Sequence, residues 1–408
     1  MAAICILTST HLCRNPRVVK EAAALSEAGY RVTVLGPIFS EELATQDAEL
    51  SKSQNYEYRA VVDLRRNLFQ RFNLRAIRRV ALEVNRFLKL ELAQSLGYGA
   101  TQMLRAAQHE NWDLYIGHTE LGAWVAYELA KKGCRVGVDF EDWYSEDLLP
   151  RDRIHRPLKL LKKCEHFLLK HSVHVTTTSN AMSEALAERY GVSKPAVIYN
   201  CFPWADRSNL DGEFKDRKDK AVPSLHWVSQ TIGPGRGLEI LCEALRKISI
   251  RVQIHLRGTF EPETKKCLLR MFPAALGHAL HFRELVHPKE LLSRIAEHDI
   301  GLALEPNIPE NKNLTVSNKF FHYLLGGLAV VATNTDGQRE IGAGTSPAVH
   351  LCGNGDSDNL ADKIRLLLEN PQLLASAKAA STTLAREKYC WERQTPILLE
   401  SVEKALQS

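Results

Sequence analysis

The chain has 408 residues, which is long enough for two domains that each bury their own core. Its hydrophobic fraction of 45%, its charged fraction of 25% and its net charge of +5 are ordinary for a globular protein. Nine cysteines are scattered without a C-x-x-C pair, which argues against a disulfide framework or a zinc site and favours a reducing, cytoplasmic compartment.

Short apolar runs alternate with helical patterns in the first half of the chain, as in a doubly wound parallel sheet. The first apolar run lacks the basic segment of a signal peptide and reads as a strand. Helices are predicted at Pro16–Ala28, Leu121–Lys132 and Ala181–Tyr190. The predicted strands are Ala3–Leu7, Arg31–Leu35, Leu114–Gly117, Val136–Asp139, His174–Thr177 and Ala196–Tyr199.

The stretch Leu64–Leu92 is helical in pattern and strongly basic. It holds eight basic and two acidic residues, a net charge of +6, and apolar residues interleave with the cations. Such a stretch either lies on an anionic membrane surface or packs on the sheet with its arginines in solvent. Nucleic acid is a weaker candidate, because the sequence contains no known nucleic-acid-binding module and no aromatic stacking platform.

Polar residues follow two of the predicted strands. His118 ends one strand and is either structural or functional. The segment Asp139–Asp147 follows another and holds five carboxylates in nine residues, which cannot all be buried without partners. It is either a solvated loop or a catalytic one, in which Glu141 or Asp142 orients a hydroxyl or stabilises developing positive charge. Asp139 and Glu141, a D-x-E pair, could also mimic a metal-binding D-x-D.

The second half restarts the alternation after a polar segment. Asp206–Val222 is charged and poor in apolar residues, which predicts a linker between two Rossmann-like domains. Helices are predicted at Leu238–Lys247, Pro288–Glu297, Asn359–Leu368 and Pro371–Arg386. The predicted strands are Ser224–Ser229, Val252–Arg257, Leu280–Phe282, Ile300–Leu304, Leu328–Ala332 and Ala348–Leu351.

A glycine-rich turn, Thr231–Glu239, follows the first strand of the second half. Its glycines, among them Gly233 and Gly235, let backbone N–H groups approach a ligand closely, and Arg236 stands just before a helix. No P-loop and no G-x-G-x-x-G motif is present, which argues against an NTPase and against a dinucleotide-dependent dehydrogenase.

The segment Leu314–Asn334 reads as a loop, a helix, a Gly-Gly turn and a buried strand. Ser317 is predicted to cap the helix, and Asn318 and Lys319 follow in its first turn. Unpaired N–H groups and a lysine at a helix N-terminus favour an anion such as phosphate.

These segments together resemble glycosyltransferases of the GT-B fold, in particular the large retaining family 4, over nearly the whole chain. Ser317-Asn318-Lys319 and the following helix and strand match that family's phosphate-contacting turn and F-E-Y-L-A-A-G-L-P-V-V-A-T run. Arg236 matches a basic donor-binding position, and Asn15–Ala22 matches the family's D-P-R-V-x-K-E-A. The family often carries two glutamates eight positions apart; Leu314 and His322 take their places here.

The resemblance implies an α/β chain of two Rossmann-like domains whose parallel sheets face a central cleft. The expected arrangement is an acceptor-side domain over 1–205, a linker over 206–222, a nucleotide-sugar-binding domain over 223–386, and a helix over 387–408 that crosses back. The implied activity is transfer, with retention, of a sugar from a UDP- or GDP-sugar to an acceptor hydroxyl. The acceptor is a glycan, a lipid-linked molecule or a small molecule, and no metal or other cofactor is expected.

The resemblance also assigns roles to residues. The catalytic candidates are Glu141, Asp142 and His118. The donor-binding candidates are Gly233, Gly235, Arg236, Ser317, Asn318, Lys319 and His322. The acceptor-side candidates are Arg14, Asn15 and Arg17. Two alternatives are a nucleotide-sugar 2-epimerase, which shares the fold, and a catalytically silent nucleotide-sugar-binding subunit, which the missing glutamates suggest. The expected location is cytoplasmic, with peripheral attachment to the inner face of the membrane as a further expectation.

Overall fold

The structure is a computed structural model that describes residues 1–52 and 54–408, without the side chains at 150 and 151. The chain divides into two compact units. The first unit comprises Met1–Ile198 together with Thr395–Ser408, and the second comprises Tyr199–Gln394. Among the described residues, no helix combines the length and the apolar composition that a membrane span requires.

The first unit is built on a parallel sheet, in which seven strands are described in the order β3-β2-β1-β4-β5-β6-β7. This is the order of a doubly wound Rossmann sheet. The strands are β1 Ala3–Leu7, β2 Arg31–Ile38, β3 Glu57–Asp63, β4 Leu114–Gly117, β5 Val136–Phe140, β6 His174–Thr177 and β7 Ala196–Val197. The helices are α1 Pro16–Glu27, α2 Glu41–Ser51, α3 Leu68–Leu88, α4 Ala100–His109, α5 Thr119–Ala130, α6 Leu158–His171 and α7 Asn180–Tyr190.

The burial of a strand explains whether it could be predicted from the sequence. The central strand β1 is buried along its whole length, so it reads as an unbroken apolar run. The edge strand β3 was not predicted, because it is polar and only Val62 in it is fully buried. The other six strands of this sheet were predicted at the correct places, although β7 is shorter than expected.

The second unit has its own parallel sheet, in which six strands are described in the order β10-β9-β8-β11-β12-β13. The strands are β8 Ser224–Ile232, β9 Gln253–Phe260, β10 Ala279–Arg283, β11 Ile300–Ala303, β12 Ala329–Thr333 and β13 Val349–Cys352. The helices are α8 Leu238–Leu245, α9 Pro262–Met271, α10 Pro288–Ala296, α11 Glu310–Leu314, α12 Asn318–Gly326, α13 Asp336–Gly342, α14 Ser357–Glu369 and α15 Pro371–Glu387. The last helix, α16 Trp391–Gln407, begins in this unit and belongs from Thr395 onward to the first. The predicted pair of doubly wound parallel sheets is therefore confirmed.

Helix α12 packs directly on this second sheet. A Cβ at Gly301 in β11 would lie 2.2 Å from the Tyr323 ring, so only glycine admits the helix at this distance. The Tyr323 hydroxyl accepts a hydrogen bond from the Val228 N–H of β8 at 3.2 Å. These contacts hold α12 against β8 and β11.

The segment predicted as a linker, Asp206–Val222, belongs to the second unit. Arg217 is buried; it donates to the Glu297 carbonyl at 3.1 Å and pairs with Asp299 at 2.9 Å. Asp216 pairs with Arg257 of β9. Asp216 and Arg217 are therefore each paired with a residue of opposite charge outside the segment, which composition alone does not reveal.

Four histidines lie close together in the second unit: His226, His255 and His281 on neighbouring strands, and His298 after α10. Their rings contact one another at centroid distances of 4.5 to 4.6 Å. Burial, together with neighbouring cationic groups such as Arg257, lowers the pKa of His226 and His298 well below 6.5. The same causes lower the pKa of His255 to about 3. These rings are therefore neutral in the folded protein at neutral pH.

Acid should consequently destabilise this unit. Below pH 6.5 the unfolded chain binds protons that the folded rings exclude, so each histidine costs up to about 1.4 kcal/mol per pH unit. We expect His226→Phe to reduce the loss of stability between pH 6.5 and pH 5.5 by about 1 kcal/mol, because the unfolded imidazole is already half protonated at pH 6.5. Hydrogen exchange of peptides from the second unit measures the stability of that unit at each pH. The control is His109→Gln, which replaces an exposed histidine of the first unit. If the stability of the second unit fell equally with pH in the native chain and in His226→Phe, exclusion of protons by His226 would not be the cause.

Candidate functional site

A cavity of about 210 Å³ lies in the second unit at the carboxyl ends of its strands, where ligands bind in open parallel sheets. Its walls come from the segments that follow β8, β11, β12 and β13. Polar and charged side chains line it together with apolar ones. The lining residues are Gly235, Gly237, Glu239, Ile240, Leu304, Glu305, Pro306, Thr333, Cys352, Gly353, Asn354, Gly355, Asp356 and Leu360.

Glu305 links this cavity to the lysine that the sequence singled out. Lys319 Nζ pairs with the Glu305 carboxylate, and its ammonium also lies 5.1 Å from the centroid of the Trp227 ring. Burial alone would raise the pKa of Glu305, but Lys319, Lys312 and Arg236 outweigh it and hold that pKa below its ordinary value. The carboxylate is therefore ionised beside three cationic groups, which make this part of the unit attractive to an anion.

The start of α12 differs from the prediction in one respect. Ser317 does occupy the N-cap position, but its side chain makes no capping hydrogen bond. Its Oγ is buried without a hydrogen-bond partner among the described residues. Asn318, the first residue of the helix, is exposed. A buried hydroxyl normally finds a partner, and Ser317 Oγ has none among the described residues.

The glycine-rich turn starts later than predicted, because β8 continues to Ile232. Gly235 lines the cavity and donates its N–H to Glu239 Oε1 at 2.9 Å. Gly237 has a φ of +79°, and a Cβ there would lie 2.5 Å from Leu304 Cβ, so glycine is required. The side chain of Arg236 is exposed; its Nη1 donates to Ser229 Oγ at 3.0 Å.

Three of the predicted donor-side residues are placed as follows. A Cβ at Gly233 would meet open space, so the turn leaves room there. The His322 ring stacks on Phe202 with centroids 3.5 Å apart and an interplanar angle of 20°. Neither His322 nor Lys319 lines the cavity itself. Lys319 pairs with Glu305, which does line it.

In the first unit, the Arg17 side chain is buried. It is 1% exposed and donates from Nε and Nη2 to Asp139 Oδ2 at 2.9 and 2.7 Å. Its Nη1 donates to the Ile198 carbonyl at 2.6 Å. Because these partners occupy the guanidinium inside the unit, the expectation that Arg17 contacts an acceptor is wrong. The same ion pair argues against Asp139 and Glu141 as a metal-binding D-x-D pair.

Glu141 and His118 do lie together, at the carboxyl ends of β5 and β4. His118 Nδ1 lies 2.7 Å from Glu141 Oε1, and His118 Nε2 lies 2.9 Å from Glu21 Oε2. Asn15 Nδ2 donates to the same Glu141 oxygen at 2.9 Å. Burial opposes the charged imidazole, but Glu21 and Glu141 raise the pKa of His118 well above 6.5. The Glu141 side chain remains 19% exposed, so a carboxylate held by His118 and Asn15 still reaches the surface.

The residue after His118 is strained. Thr119 has a φ of +62°, a conformation that β-branched residues rarely adopt. Its Oγ1 accepts from the Ser9 N–H at 3.0 Å, which joins the loops after β1 and β4. Such strain persists where the surroundings impose it, and it is common at functional sites. Arg14 is exposed and Asp142 is partly exposed in the neighbouring loops.

Among the side chains that the structure describes, two groups in the first unit have the spacing of metal ligands: Glu21, His118 and Asp139, and separately His11, Cys13 and Asp47. The first group adjoins the Arg17 guanidinium, which already supplies the positive charge. In the second group, His11 Nε2 accepts the Phe39 N–H at 2.7 Å, while Nδ1 lies 2.6 Å from Asp47. Hydrogen bonds thus account for both groups.

Residues 15–201 match the model of the glycosyl transferase 4-like domain. No curated protein sequence matches the chain. Among solved structures, a glycosyltransferase from Rickettsia africae is similar, with 15% identity, a TM-score of 0.71, and coverage of 100% of this chain and 99% of that one. Anabaena HepE in complex with UDP-glucose has 16% identity, a TM-score of 0.69, and coverage of 99% and 100%.

An epimerase structure is less similar. The putative UDP-N-acetylglucosamine 2-epimerase from Listeria monocytogenes has 11% identity and a TM-score of 0.57, with coverage of 98% and 96%. At such identities the likeness establishes the fold alone, and the sequence match is confined to residues 15–201. The chain is thus a protein of the GT-B glycosyltransferase fold, with a glycosyl transferase 4-like domain over residues 15–201 and a resemblance to family 4.

Proposed function

We propose that this protein is a glycosyltransferase that moves a sugar from a nucleotide-diphosphate donor, UDP-sugar before GDP-sugar, to an acceptor hydroxyl with retention. The observation that carries the proposal is the cavity at the carboxyl edge of the second sheet, with Lys319 and Arg236 beside it. The glycosyl transferase 4-like domain and the UDP-glucose complex of HepE support the same reading. The product belongs to glycan, polysaccharide or glycolipid synthesis.

The donor diphosphate would be held by three kinds of group. The Lys319 ammonium has three donors, so it can keep its Glu305 partner and still bind a phosphate oxygen. Arg236 and the orphaned Ser317 Oγ would supply further donors. These groups would stabilise the negative charge that develops on the leaving diphosphate. Glu305 would supply a donor-side carboxylate in a chain that has Leu314 and His322 at the family's glutamate positions.

The reaction would be a front-side substitution. The bond from the anomeric carbon to the diphosphate oxygen breaks, and a bond to the acceptor oxygen forms on the same face. The acceptor proton passes to the departing diphosphate. Glu141, fixed by His118 and Asn15, would stabilise positive charge on the sugar or orient the acceptor hydroxyl. Asp142 and Arg14, on neighbouring loops, would contact the acceptor.

Acceptor dependence tests the proposal. The protein would be incubated with UDP- and GDP-sugars, with and without a mixture of glycan and lipid-linked acceptors, and nucleotide release and products would be analysed. We expect release that requires an acceptor and a product of retained anomeric configuration. Acceptor-independent inversion at C2 of the sugar would instead identify an epimerase. Donor binding without any turnover would identify a silent subunit.

Chelation should leave activity intact. Because Lys319, Arg236 and the start of α12 can together neutralise a diphosphate, no divalent cation is needed for its departure. We expect turnover in EDTA to stay within about twofold of the untreated rate, with EDTA saturated with Mg²⁺ as control. Loss of turnover in EDTA and its recovery with Mn²⁺ would require a metal site and contradict this part of the proposal.

A further inference from the structure

Helix α3 leaves large apolar side chains in solvent. Phe69, Val80 and Phe87 are 76%, 58% and 71% exposed. Their spacings of eleven and seven residues bring them to one side of the helix. Leu74 on the opposite side is only 6% exposed and packs with Leu64 and Val62. The helix is therefore anchored to the first unit by one side and presents an apolar stripe on the other.

A row of arginines runs beside this stripe. Arg71, Arg75 and Arg79 follow at intervals of four residues, and Arg86 lies seven further on, which keeps all four on adjoining positions of the helix surface. The one acidic residue in α3 is Glu83, which lies 3.8 and 3.9 Å from Arg79 and Arg86. The exposed surface thus combines large apolar side chains with a net positive charge, since one glutamate stands beside four arginines. We call this surface, formed by the apolar and arginine rows of α3, the α3 face.

We propose that the α3 face binds the surface of an anionic lipid bilayer. Aromatic and branched side chains enter the headgroup region when such a helix lies in the interface, and the flanking cations contact lipid phosphates. Apolar exposure continues past the helix end at Leu90 and Leu92, which lengthens the contact. The attachment is independent of the nucleotide cavity, which lies in the other unit.

A second copy of the chain fits the same face poorly. An antiparallel two-fold interface would bring the arginine row of one copy against the equivalent row of the other. Helix α3 carries five arginines and one glutamate, so the like charges would remain uncompensated at that contact. An anionic bilayer can bury the apolar stripe and pair the cations with lipid phosphates at the same time.

Co-sedimentation of the full chain with vesicles tests the proposal. The vesicles contain equal parts of phosphatidylglycerol and phosphatidylcholine, or phosphatidylcholine alone. We expect binding to the anionic vesicles that falls steeply as salt shortens the Debye length from about 10 Å at 0.1 M to about 3 Å at 1 M. Each arginine at the surface should contribute about fivefold in partitioning, so Arg71→Gln, Arg75→Gln and Arg79→Gln together should lower it about 100-fold.

Two further variants separate charge from apolar insertion. The control changes three exposed cations elsewhere, Arg105→Gln, Lys132→Gln and Arg270→Gln, and should bind as the native chain does. Combined Phe69→Ser and Phe87→Ser should weaken binding at least about 10-fold, because two exposed aromatic anchors are lost. Absence of native binding at low salt, or equal binding by the arginine variant, would overturn the proposal. Dimerisation that the α3 changes abolish, without vesicle binding, would also overturn it.

Discussion

Glu141→Gln is expected to reduce turnover by about 100- to 1000-fold, the usual effect of removing one electrostatic group that acts on a transition state. Its carboxylate is held by His118 and Asn15, so glutamine keeps the shape and removes the charge. The affinity for UDP should change less than about twofold, because the nucleotide cavity belongs to the second unit. Steady-state kinetics and nucleotide titration measure the two quantities separately.

The matched control is Glu184→Gln, which removes a carboxylate of the first unit that is 60% exposed and pairs with Lys194 on the surface. It should leave turnover unchanged. Equal losses of turnover and nucleotide affinity in Glu141→Gln would point to a structural role. Unchanged turnover would show that the loop after β5 is only a solvated acidic loop.

Lys319→Met should weaken UDP binding about 10- to 150-fold, the range for losing a charge-assisted hydrogen bond of about 1.5–3 kcal/mol. Methionine fills the space over Trp227 that the lysine occupies. It also leaves Glu305 without its partner, so some stability is lost as well. Isothermal titration of UDP into native and variant chains measures the affinity, at a temperature where both are folded.

Lys378→Met is the control for the effect on stability. Lys378 pairs with Asp299 at 3.0 Å in the same unit, and neither residue lines the cavity. The control should lose stability and keep its affinity for UDP. If the two variants bound UDP equally well, the diphosphate would not be held by Lys319.

The fold could be predicted from the sequence because its central strands are buried on both faces. β1 and β12 therefore appear as continuous apolar runs, whereas the polar edge strand β3 has no such pattern. Helix α12 was also predictable, since Gly327 ends it with a φ of +75°. The confirmed elements are those whose burial or end signal leaves a recognisable pattern in the local sequence.

The partners of the candidate site residues required the folded structure. Arg17 was interpreted as a surface contact, but its carboxylate partner Asp139 lies 122 residues away. Glu21 and Glu305 were not identified as site residues. The only sequence signals for them are a position inside the Asn15–Ala22 motif and a position just after β11. Pairing across such separations depends on tertiary packing, which periodicity does not encode.

We expect the donor diphosphate to bind at the start of α12, beside the cavity of the second unit. The most direct measurement is a crystal structure of the full chain with UDP. We predict diphosphate oxygens within hydrogen-bond distance of Lys319 Nζ and Ser317 Oγ, with the Arg236 guanidinium turned towards them. UDP bound elsewhere on the chain, or bound in this unit with its phosphates away from α12, would contradict the claim.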